Sequence, residues 1–194
     1  MKFLSLDTGA VTALVIVGVV VLLLIVVVGW YISTRNKFIR YEQDIESSES
    51  RIDVYLTKRY DLLTKMVATT KGYAKHESET LENIIAMRNP NSMGNVKDKQ
   101  EFNNMMTEVQ TKLNVVVESY PSLKADSLFK GLQESITEVE ENLQAARSNF
   151  NSNVSTYNKA ILQFPASIVA GSRFTKKEYF EAEEAKKQDV KIEF

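Results

Sequence analysis

No cysteine occurs anywhere in the chain. Its absence excludes disulfides, thiolate metal sites and a cysteine nucleophile. Proline (3) and glycine (7) are scarce among 194 residues, so long helices meet few breakers. Histidine occurs once, at His76. A helical zinc protease needs His-Glu-x-x-His, two imidazoles one turn apart, and a di-iron bundle needs Glu-x-x-His on each of two helices. A single histidine serves neither. No sign of charge dominates either: 24 basic and 25 acidic residues leave a net charge of −1, without the electrostatic footprint of a nucleic-acid binder. There is no Gly-x-Ser-x-Gly elbow and no glycine-rich phosphate loop. The residues therefore offer no expected catalytic centre, cofactor site, metal site or nucleic-acid partner.

What the chain does have is a long uncharged run, "GAVTALVIVGVVVLLLIVVVGWYI", from Gly9 to Ile32. As a helix it would advance ~36 Å, enough to cross a hydrocarbon core of ~30 Å with some tilt. Trp30 and Tyr31 stand where an interfacial aromatic belt lies. The run is too long for the core of a cleaved signal peptide, and no small-x-small site follows it. An uncleaved anchor in the cell membrane is expected, with the bilayer as partner. Lys2 precedes the run, whereas Arg35, Lys37 and Arg40 follow it. That basic bias places the N-terminus outside and the rest in the cytoplasm. The expected organisation is a short tail (1–8), a transmembrane helix (9–32) and one helical domain (33–194).

The remainder reads as all-α. From Phe38 through Tyr41, Ile45, Ile52, Leu56, Leu63, Met66 and Val67 to Leu81 and Ile85, apolar residues recur in threes, fours and sevens. That spacing marks one buried stripe on one long helix, interrupted at Ser48 and Thr70. "RNPNSMGN" (88–95) stops it. A second stripe runs from Phe102 to Tyr120 and ends at Pro121. A third holds close to a seven-residue repeat from Phe129 to Phe164, with Asn153 or Val154 filling one gap. In "FTKKEYFEAEEAKKQ" (174–188), Thr175 and Glu178 have capping-box spacing for a short helix. The expected fold is an antiparallel bundle of three long helices plus a short C-terminal one behind the transmembrane helix. The first and third helices are longer than the second, so part of the third stripe needs cover. The C-terminal segment, with Phe174, Tyr179 and Phe180 as tail anchors, is the expected cover. A bend near Gly72 and a homo-oligomer are the alternatives.

Buried charges need partners. Arg59 and Asp61 are two residues apart on a helix and cannot face each other, so each is expected to pair across the bundle. Arg147 lies near the centre of the third helix, with Asp53 or Asp61 as its expected partner. Glu181, Glu183 and Glu184 of "YFEAEE" read as a solvated face. Ile192 and Phe194 in the final "KIEF" suit capture by strand addition and carboxylate binding, a candidate docking element for a membrane-associated protein.

Two blocks carry a family resemblance. One contains Ile52-Asp53-Val54, Arg59, Asp61-Leu62, Lys71-Gly72-Tyr73, His76-Glu77, Leu81 and Arg88. The other contains Ala146-Arg147, Phe150-Asn151, Val154, Tyr157-Asn158, Phe164-Pro165 and Tyr179-Phe180-Glu181. Together with the N-terminal apolar run they resemble the LemA family over nearly the whole chain. A magnetosome-associated branch is similar too. The chain departs from the family pattern where "ESSESR" replaces a frequent tryptophan before Ile52, and where Leu63 stands in place of a proline after Asp61-Leu62. The resemblance implies a membrane-anchored helical protein and names no activity. The expected function is a scaffold or protein-interaction module without catalysis, acting on an unidentified membrane-associated protein. The competing expectations are an accessory subunit of a membrane enzyme such as a protease, such an enzyme itself, or a domain that touches lipid through Arg173, Lys176 and Lys177.

Overall fold

A computed structural model describes residues 8–74, 81 and 94–181. Bounded helices among them are α1 (Thr8–Thr70), α2 (Val96–Ser119), α3 (Pro121–Ala125), α4 (Ser127–Leu162) and α5 (Ala166–Ala170), and Leu81 is helical as well. No strand occurs among the described residues. The chain forms two compact units, Met1–Gln43 with Tyr157–Lys176, and Asp44–Thr156 with Lys177–Phe194.

Helix α1 is 63 residues long, an axial path of ~95 Å. The change of composition after Ile32 is not an end of helix. In the first unit its apolar run is exposed, with Leu14 at 64% and Ile25 at 65%, and the most apolar window has no buried residue. A helix apolar on every face and covered by no protein is suited to lipid, where its backbone must be bonded internally. Beyond the run, Phe38 is buried with its ring edge-on to Phe174, the centroids 5.1 Å apart. Tyr157 is fully buried and its hydroxyl donates to Glu42 at 3.4 Å.

In the second unit the stripes of α1, α2 and α4 make the core, with Ile52, Leu56, Leu63, Met106, Leu113, Val139 and Val154 almost wholly excluded from solvent. The repeat read on α4 is buried at Phe129, Ile136, Leu143, Phe150 and Tyr157, but its last member, Phe164, lies beyond the end of the helix and is exposed. At the gap, Val154 packs inward while Asn153 donates to the hydroxyl of Ser48 at 3.2 Å and to the carbonyl of Asp44 at 3.1 Å. The polar interruptions of the α1 stripe are thus satisfied in place. Ser48 also donates to the carbonyl of Ile45, and Thr70 to that of Val67.

Three findings correct the expected bundle. First, α1 ends at Thr70, well before Asn89. Lys71, Gly72 and Tyr73 form a turn, closed by the Tyr73 and Ala74 amides on the Thr70 carbonyl, and glycine is a poor helix residue at that point. Second, α1 and α2 run in the same direction. Lys99 meets Glu49 and Asp53, while Arg59 meets Asn103 and Gln110 further along. Only α4 opposes them, as the pairs Ser48–Asn153, Arg59–Glu140 and Tyr73–Asp126 show. Helix α1 ends at Thr70 and α2 begins only at Val96, so no short loop imposes an antiparallel hairpin between them; Leu81 is helical, and the rest of 75–93 lies outside the described residues. Third, residues 174–181 are not helical. The Phe180 amide donates to Asn151 Oδ1 and its carbonyl accepts from Asn151 Nδ2, both at 2.8 Å. Backbone groups bonded to another element have no need of a helix. The short helix α5 stands earlier, closed by Gly171 at φ 51°, which favours a residue without Cβ.

The other boundaries follow local chemistry. Asn95 caps α2 through the Asp98 amide at 2.9 Å. Tyr120 is forced out of helix by Pro121, which opens α3. Asp126 caps α4 through the Phe129 amide at 3.0 Å. That bond first, and the Tyr73 hydroxyl second, hold the Asp126 carboxyl below the usual carboxylate range.

Burial, then the charge of Glu42, push the Tyr157 phenol up to about 12. The folded state therefore favours the neutral phenol. Its contribution to stability is complete below the ordinary value of 10.0 and disappears as pH rises towards 12. Melting temperature followed across that interval should fall, and the fall should be shallower in Tyr157→Phe. Equal slopes for the two proteins would contradict the assignment.

Candidate functional site

The polar centre of the second unit is built on Arg59. On α1 it occupies a core position between Leu56 and Leu63, and it is only 3% exposed. Its Nη1 donates to Asn103 Oδ1 at 2.7 Å, and its Nη2 donates to Gln110 Oε1 and Glu140 Oε1, each at 2.8 Å. Thr107 Oγ1 lies at 3.3 Å. One guanidinium thereby joins α1, α2 and α4. The carboxylate of Glu140 is half-open to water, so the pair is neither fully desolvated nor a simple surface contact.

A second cation serves a similar purpose one step away. Lys99 of α2 is 3% exposed and its Nζ lies 2.8 Å from Glu49 and 2.7 Å from Asp53. Asp53 and Arg59 therefore both pair across helices. Neither Asp53 nor Asp61 reaches Arg147: Asp53 is held by Lys99, and Asp61 is exposed on the opposite side of its helix turn. Arg147 lies over the ring of Phe180, 5.1 Å from its centroid. Of the expected tail anchors, Phe174 and Phe180 are buried, whereas Tyr179 is 46% exposed and holds nothing down. Phe180 fills its place edge-on to Phe150, centroids 6.4 Å apart. His76, Ile192 and Phe194 lie outside the described residues.

Beside Arg59 a cleft of about 410 Å³ runs between α2 and α4. Asn103, Thr107, Gln110, Thr111 and Asn114 line it from α2; Thr137, Glu140, Glu141, Gln144 and Arg147 line it from α4. Leu143 contributes apolar surface. Two guanidinium groups, two carboxylates and a set of amides and hydroxyls can donate and accept many hydrogen bonds. The lining holds no histidine, cysteine or lysine to act as base or nucleophile. Among the described residues, no three His, Cys, Asp or Glu side chains come together as a metal-binding set.

Lys99, Asn103, Gln110 and Glu140 were not among the residues expected from sequence. Their signal is nevertheless present. Lys99 and Asn103 fall in register with Phe102, Met106, Val109 and Leu113 on the buried stripe of α2. A polar residue in such a register either ends the stripe or has a buried partner.

Residues 48–194 match the model of the LemA family. The protein LemA of Metamycoplasma hominis is 28% identical over 142 residues, covering 72% of this chain. The chain spans 65%, just under two thirds, of that relative's length. The magnetosome protein MamQ 2 of Paramagnetospirillum magneticum is 23% identical over 208 aligned positions, covering 93% of this chain and 76% of that protein. The magnetosome protein MamQ of Magnetospirillum gryphiswaldense is 31% identical over 70 residues, covering 36% of this chain and 26% of that protein.

The Lys99 cluster gives a test of the packing around the site. Lys99→Met should lower the unfolding free energy by about 1–2 kcal/mol, because Glu49 and Asp53 are exposed enough to rehydrate once the ammonium is gone. Denaturant titration of the detergent-solubilised protein measures it, and an unchanged midpoint would show that Lys99 is not held as described.

Proposed function

Because the chain belongs to the LemA family, we propose that it is a single-pass membrane protein whose helical bundle serves as a scaffold or protein-interaction module, without catalysis of its own. The observation that carries this reading is the continuity of α1. The same helix supplies the exposed apolar run from Gly9 to Ile32 and the core positions up to Val67. An anchor of that kind confines the bundle to the membrane surface, where partners already confined there meet it at raised effective concentration without tight contacts. The basic bias of Arg35, Lys37 and Arg40 over Lys2 favours the N-terminus outside and the bundle in the cytoplasm. The partner is a membrane-associated protein, and the polar cleft between α2 and α4 is where its hydrogen-bonding groups would dock. The magnetosome in the names of two relatives belongs to those proteins; this reading does not require it.

Photo-crosslinking in native membranes tests the proposal. A photoreactive residue at Gln144, on the cleft, should trap a discrete protein adduct, whereas one at the exposed Lys130 should not. Absence of an adduct from the cleft would reject it as the docking place. Turnover by the purified full chain that is lost in His76→Ala would replace the scaffold with an enzyme.

A further inference from the structure

The first unit carries a second apolar surface outside the long run. Between Ala160 and Ser172 the chain has no charge. This stretch includes the end of α4, the following turn and α5. Ile161, Val169 and Ala170 turn inward and are buried. Leu162 (59% exposed), Phe164 (82%) and Ile168 (68%) turn outward. Three large apolar side chains within seven residues, all facing out from one end of a helix, are a costly arrangement in water.

Contacts within the same unit place this surface along α1. Tyr157 bonds Glu42, and Phe174 packs on Phe38. Helix α4 advances from Tyr157 to Leu162 while the matching positions on α1 recede from Glu42 towards the apolar run. Cover on α1 extends to Thr34, which is half-buried between exposed neighbours, two residues from Ile32. The exposed surface of Leu162, Phe164 and Ile168 therefore lies at the level where α1 passes from its apolar run to its first charges.

The charge around it has one sign. Residues 33–43 and 157–176 contain six cations, Arg35, Lys37, Arg40, Lys159, Arg173 and Lys176, against one anion, Glu42. A basic collar about an apolar tip complements a bilayer with anionic headgroups: the tip enters the acyl boundary while the cations stay among the phosphates.

We propose that the α4–α5 turn is a second membrane contact, with Leu162, Phe164 and Ile168 inserted into the interface of the bilayer that α1 crosses. The proposal rests on the apolar run lying in the membrane, and not on the scaffold role. Two attachments, a spanning helix and an inserted turn, hold this unit in one orientation about the α1 axis, where a single helix would leave it free to rotate.

The lack of cysteine makes the test direct. Spin labels are attached to single-cysteine forms of the full chain, Val20→Cys, Val115→Cys, Phe164→Cys and Ile168→Cys, reconstituted in vesicles of phosphatidylcholine and phosphatidylglycerol. Collision with oxygen, which partitions into lipid, is compared with collision with a water-soluble nickel chelate. All four positions are exposed apart from any lipid, so no packing is lost. Labels at 164 and 168 should resemble the one at 20, with an oxygen-to-nickel ratio severalfold above that at 115. A water-like ratio at 164 and 168, with a lipid-like one at 20, overturns the inserted turn alone. A water-like ratio at 20 as well removes the membrane span and the turn together. Shielding from both reagents at 164 with spin–spin broadening would mean that a second copy covers the surface, and also overturns the proposal.

Discussion

The bundle depends on one buried guanidinium. Removing an arginine from water costs several kcal/mol unless its donors are met, and both terminal nitrogens of Arg59 are met from two other helices at once. Apolar stripes alone tolerate a slip of one helical turn, because a leucine displaced by a turn still meets apolar neighbours. Arg59 does not tolerate it. A slip would take Asn103, Gln110 or Glu140 out of reach and leave a charge without acceptors. The same reasoning applies to Lys99, whose position between Glu49 and Asp53 fixes α2 against α1. Both cations join α1 to α2, which run in the same direction, and Arg59 also reaches the opposing α4. Hydrophobic burial supplies most of the stabilisation, and these two residues select among the alignments that burial permits.

Helix α1 contributes to both compact units. Residues to Gln43 belong to one and those from Asp44 to the other. Apolar side chains of its run to Ile32 are exposed, whereas Phe38 and the stripe that follows it are consumed in packing. The division of labour is visible in the residues themselves: an unbroken run apolar on every face, then a stripe with polar residues between. What the second unit leaves unfilled is polar. The cleft beside Arg59 is lined by guanidinium, carboxylate, amide and hydroxyl groups with a large hydrogen-bonding capacity. The chain is a membrane-associated helical protein of the LemA family.

Much of this was legible in the sequence, for physical reasons that differ from element to element. The apolar run, the α4 repeat as far as Tyr157 and the stop at Pro121 depend on local pattern and stand where pattern places them. The end of α1 was misplaced because apolar spacing continues past Gly72, and spacing alone does not register that a threonine hydroxyl and two amides close the turn at Thr70. The direction of α2 followed that error. The tail was read as a helix from its capping-box spacing, but the bonding capacity of Asn151, distant in sequence, decides its conformation. Pairing of charges was anticipated in kind for Arg59 and Asp53. Their partners were not, since Glu140 and Lys99 are distinguished only by which helix faces meet. The stacking of Arg147 on the ring of Phe180 joins residues far apart in sequence, and a sequence pattern of charges does not indicate it.

The most direct measurement is a double-mutant cycle on Arg59 and Glu140 by denaturant unfolding. Arg59→Met alone should cost on the order of 3 kcal/mol, and its cost should shrink when Glu140 is already glutamine. A coupling of about 1 kcal/mol or more is the result predicted for a guanidinium that holds α1 to α4. Strict additivity, within about 0.3 kcal/mol, would contradict the account, because helices aligned by apolar packing alone would then suffice.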